Sequence, residues 1–274
     1  MEPYWELIRK IITESDVVLE ILDARFIELS RNERAEELIE EIGRPVIFVI
    51  NKTDLAKKDT ISKNLEKLKE RGYVVSISAK KRNSARLLLY VIKKVFGEHG
   101  KQYSPAIEKF GPKLKYREAK GEIVVGVVGY PNVGKSSIIN MLSHKKKVMV
   151  SKKAGTTHGI HWIRATKEIK LIDTPGVIPL TREDEIRYGL IGARDIESLK
   201  DPELVAYAVI KLFLKENKKK EFEKFYDIIM PDSPEEVIDN IAERKKFLMK
   251  GGKFDENKVY DLIVRDWQQG RLRL

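Results

Sequence analysis

Cysteine is absent from this chain, which excludes a disulfide framework and any thiolate metal site. Glutamine is nearly absent, occurring only at Gln102, Gln268 and Gln269. Histidine is confined to His99, His144, His158 and His161. No apolar run is long enough to span a bilayer, and no signal-peptide core opens the chain. Integral membrane association is therefore not expected, and the composition fits an intracellular, cytoplasmic protein. What the chain has in quantity is charge. Charged residues make up 35%, with 53 Lys and Arg against 42 Asp and Glu, for a net charge of +11. Such an imbalance favours RNA or DNA phosphate, or an anionic membrane surface, as a partner. Lysines cluster at 57–58, 145–147, 152–153, 218–220 and 245–246. Each cluster alone reads as a solvated face. High charge with little glutamine resembles proteins of heat-loving organisms. With 274 residues and 42% hydrophobic content, the chain can bury one substantial core plus a smaller domain.

The most specific motif is GYPNVGKS at 129–136. It fits the Walker A pattern, in which backbone N–H groups cradle phosphates and a lysine reaches the β/γ oxygens. The cradle is expected from Asn132, Val133, Gly134, Lys135, Ser136 and Ser137. The apolar run 123–128 before it reads as a buried strand, and 137–143 as a short helix. That order aims a positive helix terminus at the phosphates. DTPG at 173–176 ends another strand-like run, 169–172. Asp173 would stand behind Mg²⁺ or hold its water, and the Gly176 N–H would meet the γ-phosphate.

Base choice points to NKTD at 51–54, where the Asp54 carboxylate can accept from guanine N1–H and the 2-amino group. Asn51 would support the base edge, and the Lys52 stem would lie over the ring. SAK at 78–80 would offer the Ala79 N–H to the base oxygen, with Ser78 and Lys80 beside it. Both guanine-reading motifs precede the phosphate loop, the reverse of the order in an ordinary small GTPase. The set is rotated, as in a circularly permuted GTPase.

The motifs together resemble the YlqF/RbgA-type family of circularly permuted GTPases, which are ribosome-assembly factors. DARF at 23–26 with SRN at 30–32 is similar to that family's segment at the first strand. GYPNVGKSS, AGTTHGIHW at 154–162 and DTPGV are similar to its later motifs, and VYDLIVRDWQQGRL at 259–272 to its C-terminal helix. The resemblance runs nearly end to end. It implies that Lys135 binds the β/γ-phosphates, that Ser136 and Thr157 ligate Mg²⁺ with Asp173 behind them, and that the tail binds RNA. Thr156 is the alternative switch threonine. Asn132 resembles the asparagine that helps hold a potassium ion in related GTPases; a role confined to stabilising the loop is the alternative. The glutamine that commonly orients the attacking water is replaced by Val177, and the Gly-His-Met segment of the bacterial branch has no counterpart before His99. His158 and His161 lie in the first switch region. Lys135, Thr157, Gly176 and Asn132 are thus the expected catalytic set, with slow turnover.

Strands expected at 16–23, 46–50 and 73–77 alternate with helices at 2–13, 33–42, 61–71 and 85–96. That alternation predicts a mainly parallel α/β sheet covered on both faces. Residues 97–121 read as the linker joining the two ends of an unrotated GTPase. Further strands are expected near 160–165 and 169–172. The remainder reads as helical, with helices at 202–214 and from a capping box at Ser233 through Phe247, Asp255 as a cap, and Gly270 at a helix end. The expected architecture is a circularly permuted P-loop NTPase fold over 1–190, followed by a small all-α domain over 191–274. The expected function is a GTP/GDP-binding, slowly hydrolysing monomer that uses Mg²⁺ and K⁺. Its expected partner is ribosomal RNA or a pre-ribosomal particle of the large subunit. The alternatives are an RNA-binding module without functional hydrolysis, or a GTPase of tRNA modification or of a membrane surface.

Overall fold

The computed structural model describes residues 2–56, 58–81, 83–100, 122–143, 161–173 and 184–273. They fall into two compact units: Met1–Asp54 with Lys58–Pro179, and Leu55–Lys57 with Leu180–Leu274. Among the described residues no helix is long and apolar enough to cross a membrane.

The first unit is built on a six-stranded sheet in the order β3-β2-β1-β4-β6-β5. The strands are β1 Val17–Asp23, β2 Val46–Asn51, β3 Tyr73–Ser76, β4 Ile123–Val128, β5 His161–Arg164 and β6 Ile169–Asp173. All neighbours are parallel except β5, which runs antiparallel to β6. The two central strands, β1 and β4, are buried along their whole length. Helices covering both faces explain why their sequences read as continuous apolar runs instead of alternating ones. Those helices include α1 Glu2–Glu14, α2 Ile27–Ser30, α3 Glu33–Ile42, α4 Lys58–Lys69, α5 Asn83–His99 and α6 Lys135–Ser143. In α3 the residues Ala35, Leu38, Ile39 and Ile42 face inward, a 3.6-residue stripe. The Asn32 side chain accepts from the Ala35 N–H, and Gly43 closes the helix at φ 72°. Gly126 marks where α1 crosses β4, since a Cβ there would lie 2.4 Å from Ser15 Oγ.

The second unit is helical: α7 Glu185–Ile191, α8 Pro202–Lys215, α9 Lys219–Tyr226, α10 Pro234–Lys245 and α11 Glu256–Gln268. Its core is aromatic, with Phe213 edge-on to Phe222 at 5.1 Å and to Trp267 at 6.3 Å. Pro234 follows the Ser233 cap, which accepts from the Glu236 N–H, and Asp255 accepts from the Lys258 N–H.

The α/β expectation holds, with local differences. Helix α5 runs through Gly97 to His99, into the stretch read as linker. Its last turn is held by the Tyr73 hydroxyl, which donates to Glu98 at 2.6 Å and lies 2.8 Å from His99 Nε2. Helix α10 stops at Lys245, because Lys246 adopts the left-handed conformation at φ 56°, and Phe247 belongs to the connection that follows. Helix α9 falls in the stretch read as helical but was given no bounds: its buried face is only Phe222 and Tyr226, too few to show a period. The second unit takes in α7, so the division lies ahead of the expected one after residue 190. The expected linker from 101 to 121, Lys145–147 and Lys152–153 lie outside the described residues.

Candidate functional site

Parallel strands bring the C-terminal ends of β1, β2, β3, β4 and β6 to one edge of the sheet. The register sets Asp23 opposite Asn51, Ile50 opposite Ser76, and Val127 opposite Asp173. The loops leaving these strands carry the phosphate-loop and guanine motifs. Open α/β sheets bind ligands at this edge, near the point where the strand order reverses. Here β1 lies between β2 and β4, so the reversal falls beside the phosphate loop.

That loop connects β4 to α6 through a backbone few side chains permit. Gly129 has φ 143°, Asn132 60° and Gly134 108°. A Cβ on Gly134 would lie 2.2 Å from Asn51 Nδ2. Glycine is thus required twice there, for the left-handed φ and for the close approach. Lys135 opens α6 and is buried. Its ammonium donates to the carbonyls of Gly129 at 2.7 Å and Tyr130 at 2.8 Å. Burial pushes its pKa down to about 8, against the Asp173 carboxylate, which acts to raise it. Ser136 is half-buried in the first turn of α6, and Asn132 and Ser137 are exposed. Asp173 is the last residue of β6.

The guanine motifs are braced to this loop through one side chain. Asn51 Nδ2 donates to the Val133 carbonyl at 3.0 Å, while Asn51 Oδ1 accepts from the Ala79 N–H at 3.1 Å. The expectation aimed that N–H at the base oxygen. Asp54 accepts from the Ser78 hydroxyl at 2.7 Å and from Lys80 at 3.3 Å. Burial pushes its carboxyl pKa up, but Ser78 and Lys80 outweigh it and the net shift is downward. Ser84, at the start of α5, donates to the Ser78 carbonyl at 2.7 Å and fixes that turn.

Lys52 adopts φ 63° and donates to Asp23 Oδ2 at 2.8 Å. Asp23 is fully buried and also takes two bonds from the Arg25 guanidinium, at 3.0 and 2.8 Å. Burial acts to raise the Asp23 pKa, but Lys52 and Arg25 hold it well below the usual carboxylate range. For Lys52, burial outweighs Asp23 and lowers the pKa. The Asp23 N–H in turn donates to Ser30 Oγ at 2.9 Å. This gives the DAR and SRN segments a physical role: they anchor the lysine between Asn51 and Asp54. The anchoring was missed from sequence, although a carboxylate ending a strand of apolar residues, two positions before an arginine, is its signature.

Thr156, Thr157, His158, Gly176 and Val177 lie outside the described residues. The remaining expected site residues gather at this one edge.

Residues 124–241 match the family described as 50S ribosome-binding GTPase. An uncharacterized GTP-binding protein of Methanocaldococcus jannaschii is 35% identical over 270 residues, covering 98% of this chain and 66% of that protein. The ribosome biogenesis GTPase A of Priestia megaterium is 30% identical over 272 residues, covering 94% of this chain and 88% of that protein. GNP-bound YlqF from T. maritima superposes with a TM-score of 0.60 at 21% identity, over 99% of this chain and 95% of that one. The chain spans 66% of the archaeal protein and about half, 50% and 48%, of two animal guanine nucleotide-binding protein-like 3 homologues. The rotated motif order, the strand order that follows from it, and near full-length similarity to a named GTPase agree, and the chain belongs to the ribosome biogenesis GTPase A family.

Proposed function

We propose that the chain binds GTP and GDP, hydrolyses GTP slowly, and acts as a nucleotide-dependent switch in assembly of the large ribosomal subunit. The observation that carries this is the pair of hydrogen bonds made by the Asn51 side chain, which ties the phosphate loop at Val133 to the guanine-reading loop at Ala79. A loop that reads only phosphate has no use for such a tie.

The residues present fit the nucleotide. Gly134 lets the Asn51 amide approach the phosphate loop where a Cβ would collide with it, and the Lys135 ammonium is held by loop carbonyls, ready to be exchanged for phosphate oxygens. Asp54, kept ionised, accepts from the guanine edge. Asn51, Ser78, Ala79 and Lys80 hold the base loop, and Lys52, anchored on Asp23, presents its stem to the ring. Asn132, Val133, Gly134, Ser136 and Ser137 supply loop donors. Ser136, Thr157 and Asp173 are the residues that would hold Mg²⁺, and Asn132 the one that would hold K⁺. The two cations supply positive charge where the β/γ oxygens become more negative. The Gly176 N–H would add a donor at the γ-phosphate. With Val177 at the usual glutamine position, no side chain there can orient water, which accounts for slow turnover. The partner is ribosomal RNA within a pre-ribosomal particle, reached electrostatically by a chain of net charge +11. The chain acts as a cytoplasmic monomer.

The test is sedimentation of the purified chain with ribosomal particles from cell extract. A non-hydrolysable GTP analogue and GDP are compared, alongside competition by ATP for labelled GDP. Co-sedimentation with the large-subunit fraction in one nucleotide state, with ATP failing to compete, is the expected result. Equal competition by ATP, or no co-sedimentation in either state, overturns the reading.

A further inference from the structure

The connection between α10 and α11 is a short hairpin held by backbone bonds. Leu248 bridges Phe254 in antiparallel fashion. The Asp255 N–H donates to the Phe247 carbonyl at 2.9 Å, Met249 N–H to Lys253 at 2.8 Å, and Gly252 N–H to Met249 at 3.1 Å. The tip turns at Gly251 and Gly252, with φ of 98° and 81°, and among the described residues nothing beyond the adjoining ones lies within 4 Å of where either Cβ would be.

Residues 244–253, RKKFLMKGGK, hold Arg244, Lys245, Lys246, Lys250 and Lys253 and no carboxylate. All five cations are exposed. Arg244 is occupied by Asp227, but Lys245, Lys246, Lys250 and Lys253 make no ion pair with a described residue. Leu248 is 52% exposed and Met249 49%, so two apolar side chains stand among four unpaired ammonium groups. Among the described residues, the N–H groups of Lys250 and Gly251 have no acceptor.

We propose that this hairpin is the element of the second unit that grips single-stranded RNA. The inference rests on the reading of RNA as the partner. Lys245, Lys246, Lys250 and Lys253 contact phosphates. The bare glycine turn lets a phosphate approach the free backbone N–H groups, a contact that side chains at those positions would block. Leu248 and Met249 lie against the faces of unpaired bases, which a duplex would keep stacked. The charge pattern favours a polyanion, and the alternation of ammonium groups with apolar side chains favours unpaired nucleic acid. Because the backbone bonds preform the turn, ordering it costs little on binding.

The full chain is titrated by fluorescence anisotropy into a labelled uridine oligomer of about 20 nucleotides and a duplex of the same length, between about 50 and about 200 mM salt. Lys250→Glu/Lys253→Glu should weaken single-strand binding about tenfold or more, and Lys250→Gln/Lys253→Gln should lower the salt slope by about 1.4. Leu248→Ser/Met249→Ser should weaken single-strand binding while leaving the salt slope unchanged. GDP affinity should stay unchanged in all three, and Lys67→Gln/Lys94→Gln, in the first unit, should bind RNA as the parent does. If the parent binds the oligomer and the hairpin variants bind it equally well, the hairpin is not the contact and the RNA reading survives. If the parent binds no RNA, or binds only phosphatidylserine vesicles, both readings fall.

Discussion

At the scale of residues, two buried titratable groups lose their protons as pH rises through about 8, one with a consequence for binding and the other for stability. Lys135 is pushed down to about 8 by burial, yet a phosphate needs it protonated. Nucleotide affinity is therefore expected to be full below pH 8 and to fall as pH rises through that value. A drop of about fourfold between pH 7 and 8.5 follows from the fraction protonated, measured by calorimetric titration with GDP below the range where guanine itself ionises. Flat affinity across that window would remove Lys135 from the phosphate site. Glu20 lies in the middle of β1 with no exposed surface. Its Oε1 accepts from the Asn32 N–H at 2.8 Å, and its Oε2 has no partner among the described residues. Burial first, then the Glu36 carboxylate, push its pKa up to about 8, far above the unfolded value of about 4.3. The folded chain thus holds a proton the unfolded chain gives up. The stability contribution is complete below about pH 4.3 and is lost as pH rises toward 8. Glu20→Gln keeps the acceptor for Asn32 and removes the buried charge. Its melting temperature is expected to match the parent's near pH 4 and exceed it at pH 8.5, by the equivalent of at least about 1 kcal/mol. A variant less stable than the parent at pH 8.5 would show that Glu20 is ionised and paired.

At the scale of elements, the contact between α11 and α7 shows how a short helix is completed from outside. Helix α7 has seven residues, so its last carbonyls lack partners within the helix. Helix α11 supplies them: Trp267 Nε1 donates to the Leu190 carbonyl at 2.8 Å, and Gln268 Nε2 donates to Gly189 and to Arg194 at 3.0 Å each. Gln268→Leu leaves two carbonyls without that donor and is expected to destabilise the second unit by about 1–3 kcal/mol, read as a lower denaturation midpoint. GDP affinity should not change, and an unchanged midpoint would show that water replaces the amide without loss. This contact also marks where sequence reading stopped. The phosphate loop was legible because its glycines, its lysine and the flanking apolar runs must all be local. The guanine motifs were legible because each ends an apolar strand. The Asn51 bridge to Val133 and the Lys52 pair with Asp23 join residues far apart in the chain, and periodicity carries no information about such partners. The bounds of helix α9 were hidden for a different reason: its two buried aromatic residues stand in a lysine-rich stretch, and Phe222 packs on Phe213, which belongs to another element. The hairpin after α10 was hidden because Lys246, in place of a glycine, takes the left-handed position that ends the helix.

At the scale of the whole molecule, the nucleotide motifs and the cationic hairpin fall in different compact units. All the described nucleotide-site residues lie in Met1–Asp54 and Lys58–Pro179, while the cationic hairpin and α9 lie in Leu180–Leu274. A chain ending at Pro179 keeps every nucleotide motif and removes α7 together with the helices it packs against. Ending near Arg187 would instead cut α7 within Glu185–Ile191 and leave half a helix without its acceptors filled. The Pro179 chain is expected to bind GDP within about threefold of the full chain, since none of the described site bonds crosses the cut. Its folding is checked first by circular dichroism and by a GDP-induced rise in melting temperature. Its association with ribosomal particles should weaken by at least about tenfold at low salt, and its log affinity should fall less steeply with log salt, because fewer lysines release counterions from phosphate. Sedimentation across a salt series, with the full chain run in parallel, gives both quantities. A folded Pro179 chain that bound the particle as tightly as the full chain, with the same salt slope, would put the RNA surface on the first unit. The lysines of that unit, at 93–94 and 80–81 among those described, would then be the next to substitute.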